Sequence, residues 1–258
     1  MIRNLAVIVP AANEEQTIAA CLASITAARR HLARGRTAGV QVEVFVVLDG
    51  CQDQTAAVAA RFPGVRPVII SAGRVGAARH AGARAAIGSA SSARELWLAN
   101  TDADCIVPRD WLSFMVGEAR RDAHVVLGTV LPGPGLPTAI RAAWLSRHHL
   151  RDNHPHIHGA NFGIRADAYM ALGEWQPLAL GEDVDLAERA ASAGHLRVIR
   201  TASIPVITSS RPAARVPGGF ASYLTSLAAP ASYPATDSYR SLNASERRGT
   251  RLRGAGAL

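Results

Sequence analysis

A chain of 258 residues, 48% of them apolar, is long enough to bury a sizeable core in one large α/β domain or two small ones. No apolar run approaches the ~20 residues of a membrane span, and three cysteines without CxxC spacing argue against a disulfide framework or a structural zinc site. The formal net charge of +8 is carried wholly by arginine, which fits general solubility with a compositional bias, or else an anionic ligand or membrane surface; scattered arginines without aromatic interleaving argue against a nucleic-acid binder.

The opening MIRNLAVIVP holds an apolar run too short for a signal sequence and is followed by NEE, so LAVIVP (5–10) reads as a buried strand and the chain is expected in the cytoplasm. NEEQTIAACLASITAARRHL (13–32) has a helical apolar period with acids in its first turn. A second strand is predicted over 40–50, a helix over 53–62 that Asp53 caps, and a third strand over 65–70. A helix over 75–87, a strand over 95–100, a helix over 108–121 with proline in its first turn and a strand over 124–130 complete the alternation. Alternating strands and helices with continuous apolar strands predict an α/β fold, a mostly parallel sheet covered on both faces.

The rhythm changes after about residue 131. PGPGLP (132–137) is a loop, a helix is expected over 138–151, and the His-rich RHHLRDNHPHIHGANFGIR (147–165) follows. GEDVDLAERAASAG (181–194) reads as a helix with acids at its start and Gly194 as C-cap, LRVIRT (196–201) as a strand, and 229–258, rich in Ala, Pro, Ser, Gly and Arg, as a weakly ordered basic tail.

Ligands of such sheets bind beyond the carboxyl ends of the strands, where Asn13, Asp49, Gly73 to Arg79, and Asp102 with Asp104 all fall. Two carboxylates in TDADC (101–105) repel unless a cation sits nearby, and a turn must follow if both are to serve one ligand. Hard oxygen ligands of this kind suit Mg²⁺ or Mn²⁺ shared with substrate phosphates; the alternative is a solvated turn capping the next helix.

The motifs taken in order resemble those of the family 2 glycosyltransferases, from residue 5 to about 220. VIVPAANEE (7–15), VVLDGCQDQT (46–55), GRVGAARHAG (73–82), TDADC, GANFGIRADAY (159–169) and GEDVDL (181–186) match the family's opening loop, its D-D-G-S stretch, its A-R-N stretch, its D-x-D, its acceptor-side loop and its E-D motif. Ala12, Leu48, Cys51 and His80 stand where the family usually carries Tyr, Asp, Ser and Asn, around the nucleobase pocket. The resemblance implies a GT-A fold over 1–228, with a nucleotide-sugar half (1–130) and an acceptor half (131–228). It implies a metal-dependent, inverting glycosyltransferase using a nucleotide-diphosphate sugar, most simply UDP-linked, with Mg²⁺ or Mn²⁺. A nucleotidyltransferase or a non-catalytic sugar-nucleotide-binding module on the same fold are the alternatives.

By that resemblance Asp49 meets the nucleobase, with helix capping as its alternative role. Pro10, Ala11 and Glu14 line the base and ribose, though Glu14 serves equally as a helix-dipole partner. Gly76 lets backbone approach the nucleotide, and Arg79 pairs with the diphosphate or with an Asp of the site. Asp102 faces the ribose or the metal's water shell, and Asp104 ligates the metal. Asp183 is the catalytic base; Glu182 orients the acceptor, and Asp185 is structural. Gly159 and Asn161 shape the acceptor side, and His158 touches phosphate or acceptor. His154, His156 and His158 form a zinc site or, alternatively, part of a polar acceptor-binding or flexible loop. Arg211 and Arg215 lie on a lid over the diphosphate, with a plain surface loop as the alternative. The acceptor is a saccharide, a lipid-linked molecule or a small molecule, and contact with the inner face of a membrane, through the mildly amphipathic FASYLTSLAAP (220–230) and the tail, is expected to be weak and salt-sensitive.

Overall fold

The computed structural model describes residues 1–35, 37, 39–148, 150–210, 224 and 227. The proposed lid arginines Arg211 and Arg215, His149 and the predicted tail lie outside the described residues. Chain order runs β1 (Asn4–Ala11), α1 (Ile18–Arg34), β2 (Gln41–Asp49), α2 (Thr55–Ala59), β3 (Val65–Ile70), α3 (Val75–Ser89), β4 (Leu96–Asn100), β5 (Cys105–Ile106) and α4 (Trp111–Arg120). It continues through β6 (Val125–Pro132), α5 (Thr138–Arg147), β7 (Phe162–Arg165), α6 (Ala166–Ala171), α7 (Glu182–Ser192) and β8 (Val198–Thr208).

These strands form one sheet in the order β3-β2-β1-β4-β7-β6-β8-β5. β3, β2, β1 and β4 are mutually parallel; β7 runs antiparallel to both β4 and β6, β6 and β8 are parallel, and β5 is antiparallel to β8. The period of two along β1 divides the core. Leu5, Val7 and Val9 join α1, α4 and Trp97, Trp111 and Trp144 on one face, while Ala6 and Ile8 join α3, α6 and α7 with Phe162, Tyr169 and Trp175 on the other. Burying each large side chain stabilises the fold by roughly 1.5–3 kcal/mol, so both faces are covered, as the continuous apolar strands predict. Leu224 and Leu227 also pack into the first cluster.

Several local expectations change. α1 starts at Ile18, not residue 13, because Asn13 takes a left-handed φ of 56° and the amides of Glu14 and Glu15 are used by Thr55 Oγ1 and Asp53 Oδ2; no acid lies in the helix's first turn. The 65–70 strand is an edge strand with Ile69 82% exposed, and Pro67, which has no N–H to donate, is tolerated there. The helix predicted over 53–62 shrinks to five residues, and Asp53 accepts from the Thr55 amide at its start. β5, β7 and α6 are too short for a periodic signal. β7 nonetheless reverses the sheet, setting Phe162 opposite Asn100 at the end of β4.

Candidate active site

α3 approaches the sheet through Gly82, where an added Cβ would stand 2.6 Å from Ile8 Cγ2 and 2.9 Å from Val47 Cγ2. The preceding turn thereby carries Arg79 into the interior, 2% exposed. Its Nη2 donates to Asp102 Oδ1 at 2.6 Å and its Nε to Glu182 Oε1 at 3.1 Å. Trp175 lies 5.8 Å from its guanidinium carbon, within cation–π range. Burial alone would lower the arginine's pKa, but Asp102, Glu182 and Asp183 together raise it. Of the two partners left open by the sequence, the diphosphate or an Asp, this geometry shows the Asp and adds Glu182.

The chain turns after β4, as two converging carboxylates require: Cys105 N donates to Asp102 O at 3.1 Å. Ligand atoms of Asp102, Asp104 and Cys105 consequently lie within 4.8 Å of one another. Burial pushes the Cys105 thiol well up, so it stays protonated and the carboxylates are the cation ligands the group offers. Asp104 also lines an open cleft of about 410 Å³, together with Gln16 and Thr17, Ile106 and Ile207, and the 133–135 and 208–210 segments.

Asp183 sits in the first turn of α7, where the dipole favours a carboxylate. Oδ2 accepts from Gly159 N at 2.7 Å and Oδ1 from Val184 N at 2.8 Å. Burial raises its pKa; Arg79 and these two amides oppose the rise. Beside it, burial pushes Glu182 up to about 7, the Asp183 charge adding to the rise and Arg79 opposing it. A folded value above the ordinary 4.5 means that the native state binds the proton more tightly. Stability from Glu182 is therefore fully present below about pH 4.5 and is lost as pH rises through about 7. Glu182→Gln, which mimics the protonated acid, is expected to flatten the fall in thermal midpoint across this window; an unchanged slope would count against the raised value. Asp185 pairs with Arg189, which also donates to Leu172 O and Glu174 O and so ties α7 to the loop after α6.

The nucleotide-side residues gather at the ends of β1 and β2. The loops after these strands are laced together: Gln52 N donates to Asn13 Oδ1 at 2.8 Å, Gln54 N to Glu15 Oε2 at 2.9 Å, and Cys51 Sγ to Ala11 O at 3.3 Å. Pro10 and Ala11 end β1, and Glu14 Oε2 accepts from Thr17 Oγ1. Asp49 Oδ1 accepts from the Ala72 and Gly73 amides at 2.7 and 3.0 Å, which joins the end of β2 to the loop before α3 rather than capping α2. At Gly76 the approaching backbone is that of the 176–178 loop, since a Cβ there would stand 2.2 Å from Gln176 O.

Two acceptor-side expectations are corrected. Asn161 is fully buried: Oδ1 accepts from Trp111 Nε1 at 2.9 Å, and Nδ2 donates to Thr129 O and Ile204 O at 2.9 and 2.7 Å. It clamps β6, β8 and α4 together and does not face an acceptor. Asn161→Ala strands these partners and is expected to lower unfolding stability by roughly 2–4 kcal/mol in urea titration. The His-rich loop is fastened by hydrogen bonds among its described residues. Asp152 accepts from Thr201 Oγ1 and Ala202 N, Arg200 reaches the carbonyls of residues 154–156, and His154 Nε2 meets Thr201 O. Its rings stack: Trp144 on His148 at 3.9 Å, His148 on His156 at 4.7 Å, and His156 near His158 at 6.2 Å. Stacked faces do not converge nitrogens on a zinc ion, and burial with the neighbouring histidines lowers the His158 pKa to about 3, leaving it neutral. Sequence reasoning missed Trp175; a tryptophan just after the acceptor-side motif carries no periodic signal of its own.

Residues 6–173, more than half of the chain, match the model of the family "Glycosyl transferase family 2". No curated protein matches in a sequence comparison. Among solved structures the chain is similar to Staphylococcus aureus TarS residues 1–349 (17% identity, TM-score 0.55, covering 81% of this chain and 61% of that one). A structure of the same TarS fragment in complex with UDP aligns at 16% identity and TM-score 0.56, with the same coverage. Glucosyl-3-phosphoglycerate synthase from Mycobacterium tuberculosis, in complex with Mn²⁺, UDP and glucosyl-3-phosphoglycerate, aligns at 18% identity and TM-score 0.52, covering 81% and 73%. The chain thus spans about three-fifths of the TarS fragment's length, and at these identities the likeness concerns the fold, a curled, mixed α/β sheet.

Proposed function

The chain belongs to glycosyl transferase family 2, and from that premise we propose that it is an inverting, metal-dependent enzyme that moves a sugar from a nucleoside-diphosphate donor to an acceptor hydroxyl. The observation that carries the reading is Arg79 bringing the D-x-D carboxylate Asp102 and the E-D carboxylate Glu182 onto one cation, with Asp183 beside them. Asp104 would hold Mg²⁺ or Mn²⁺ with Asp102 facing its water shell, and the metal when bound would offset the charge of the departing diphosphate. Asp183 takes the acceptor hydroxyl's proton while that oxygen bonds to the anomeric carbon and the bond to the diphosphate oxygen breaks, the electron pair leaving with the nucleoside diphosphate. The raised pKa of Asp183 makes it a stronger base than an exposed aspartate. Asp49, the last residue of β2, accepts from a base N–H.

UDP is the first nucleotide to test, because it is bound in the TarS and M. tuberculosis structures. No helix among the described residues is long and apolar enough to cross a membrane. Calorimetric titration with UDP, GDP and TDP, with and without Mn²⁺, is expected to show one nucleotide binding only with metal. Absence of binding under all conditions replaces this reading with a non-catalytic module.

A further inference from the structure

We propose that Arg79 is a positioning residue that makes one energetic unit of the D-x-D turn and the Glu182–Asp183 pair, so that a charge change at either end is felt at the other. The inference rests on the reading above for what the two ends do. The bridge itself stands on packing.

Arg79 comes from α3, Asp102 from the turn after β4, and Glu182 from the first turn of α7, so one guanidinium joins three elements. Its orientation is closed in on several sides. Gly159 passes so near that an added Cβ would stand 2.6 Å from Nη2 and 2.9 Å from Cζ, and Trp175 covers it at 5.8 Å. Its Nη1 is buried without a hydrogen-bond partner, so the cation is compensated chiefly by the two carboxylates it touches. Asp102 is the exposed end, its side chain 37% accessible, and Glu182 the buried one at 6%.

A buried charge that loses one counter-ion leans harder on the other, and one that loses both is left uncompensated. A dication arriving at the D-x-D draws on Asp102 and so shifts Arg79's charge toward Glu182. Reciprocity requires that the charge state of Glu182 change affinity at the D-x-D. Lysine would not replace the arginine, because a point charge on a flexible stem cannot hold two carboxylates in a fixed fork.

Two measurements at pH 8 decide it. In EDTA, thermal unfolding compares wild type, Asp102→Asn, Glu182→Gln and the double variant. Glu182→Gln is expected to shift the midpoint downward in the Asp102→Asn background relative to its effect in wild type, because there it removes the second of the two carboxylates that touch the buried guanidinium and leaves it only the more distant charge of Asp183. Equal shifts in both backgrounds overturn the bridge. The second measurement is calorimetric binding of Mn²⁺·UDP. Glu182→Gln is expected to weaken it by about fivefold, and Arg79→Lys to abolish that dependence on residue 182; an unchanged affinity in Glu182→Gln overturns the coupling. A wild-type protein that binds no Mn²⁺·UDP refutes the donor-site reading instead, and the metal-free unfolding cycle still decides the bridge.

Discussion

Asp183→Asn is expected to slow sugar transfer by about a thousandfold, in the middle of the range a positioned general base contributes, while nucleotide binding stays near that of wild type. Asparagine matches aspartate in shape but keeps one acceptor oxygen, so one of the two backbone amides that bond the carboxylate loses its partner, and it accepts no proton at neutral pH. The Gly159 and Val184 amides now aim two donors at the Asp183 carboxylate and fix its direction. Release of nucleoside diphosphate in the presence of acceptor measures the step, and calorimetry measures binding. Transfer at near wild-type rate would remove Asp183 from the base position. Loss of binding as well would assign it to the donor site.

Asp104→Ala is expected to weaken metal-dependent nucleotide binding by about a hundredfold or more. A carboxylate and a dication a few ångströms apart attract by several kcal/mol even at an effective dielectric near 20, and a hundredfold is about 2.8 kcal/mol. Asp104 faces the open cleft, whereas Asp102 is engaged by Arg79, so the two D-x-D acids should not contribute equally. The check is a Mn²⁺ titration of nucleotide affinity in Asp104→Ala and Asp102→Asn. A smaller loss in Asp104→Ala than in Asp102→Asn would reverse the assignment of ligand and neighbour.

Legibility in the sequence follows the range of the forces involved. Continuous apolar runs made β1, β2 and β4 readable, since a strand buried on both faces needs no partner identity to be recognised. β5 and β7, of two and four residues, carry no period, and their antiparallel pairing is decided by what already lies on either side in the sheet. The NEE segment misled because acids before an apolar helical period look like a helix start. In the fold, Asn13 and Glu15 are more useful to the amides of the neighbouring 52–54 loop. Asn161 misled for a similar reason: a polar residue in a recognisable motif looked functional, but three buried partners claim it.

By itself the sequence determined the α/β class, the two-faced core, the family motifs and the placement of the acids at strand ends and at a helix start, because each depends on residue type and short spacing. Tertiary structure alone decided which acids meet. Arg79 reaches Asp102 and Glu182 because Gly82 lets α3 close on the sheet and Gly159 leaves room for the guanidinium. Burial in that arrangement, which no local pattern encodes, raises Glu182 to about 7 and lifts Asp183 with it. Desolvation depends on everything packed around a charge, whereas spacing records only its neighbours along the chain.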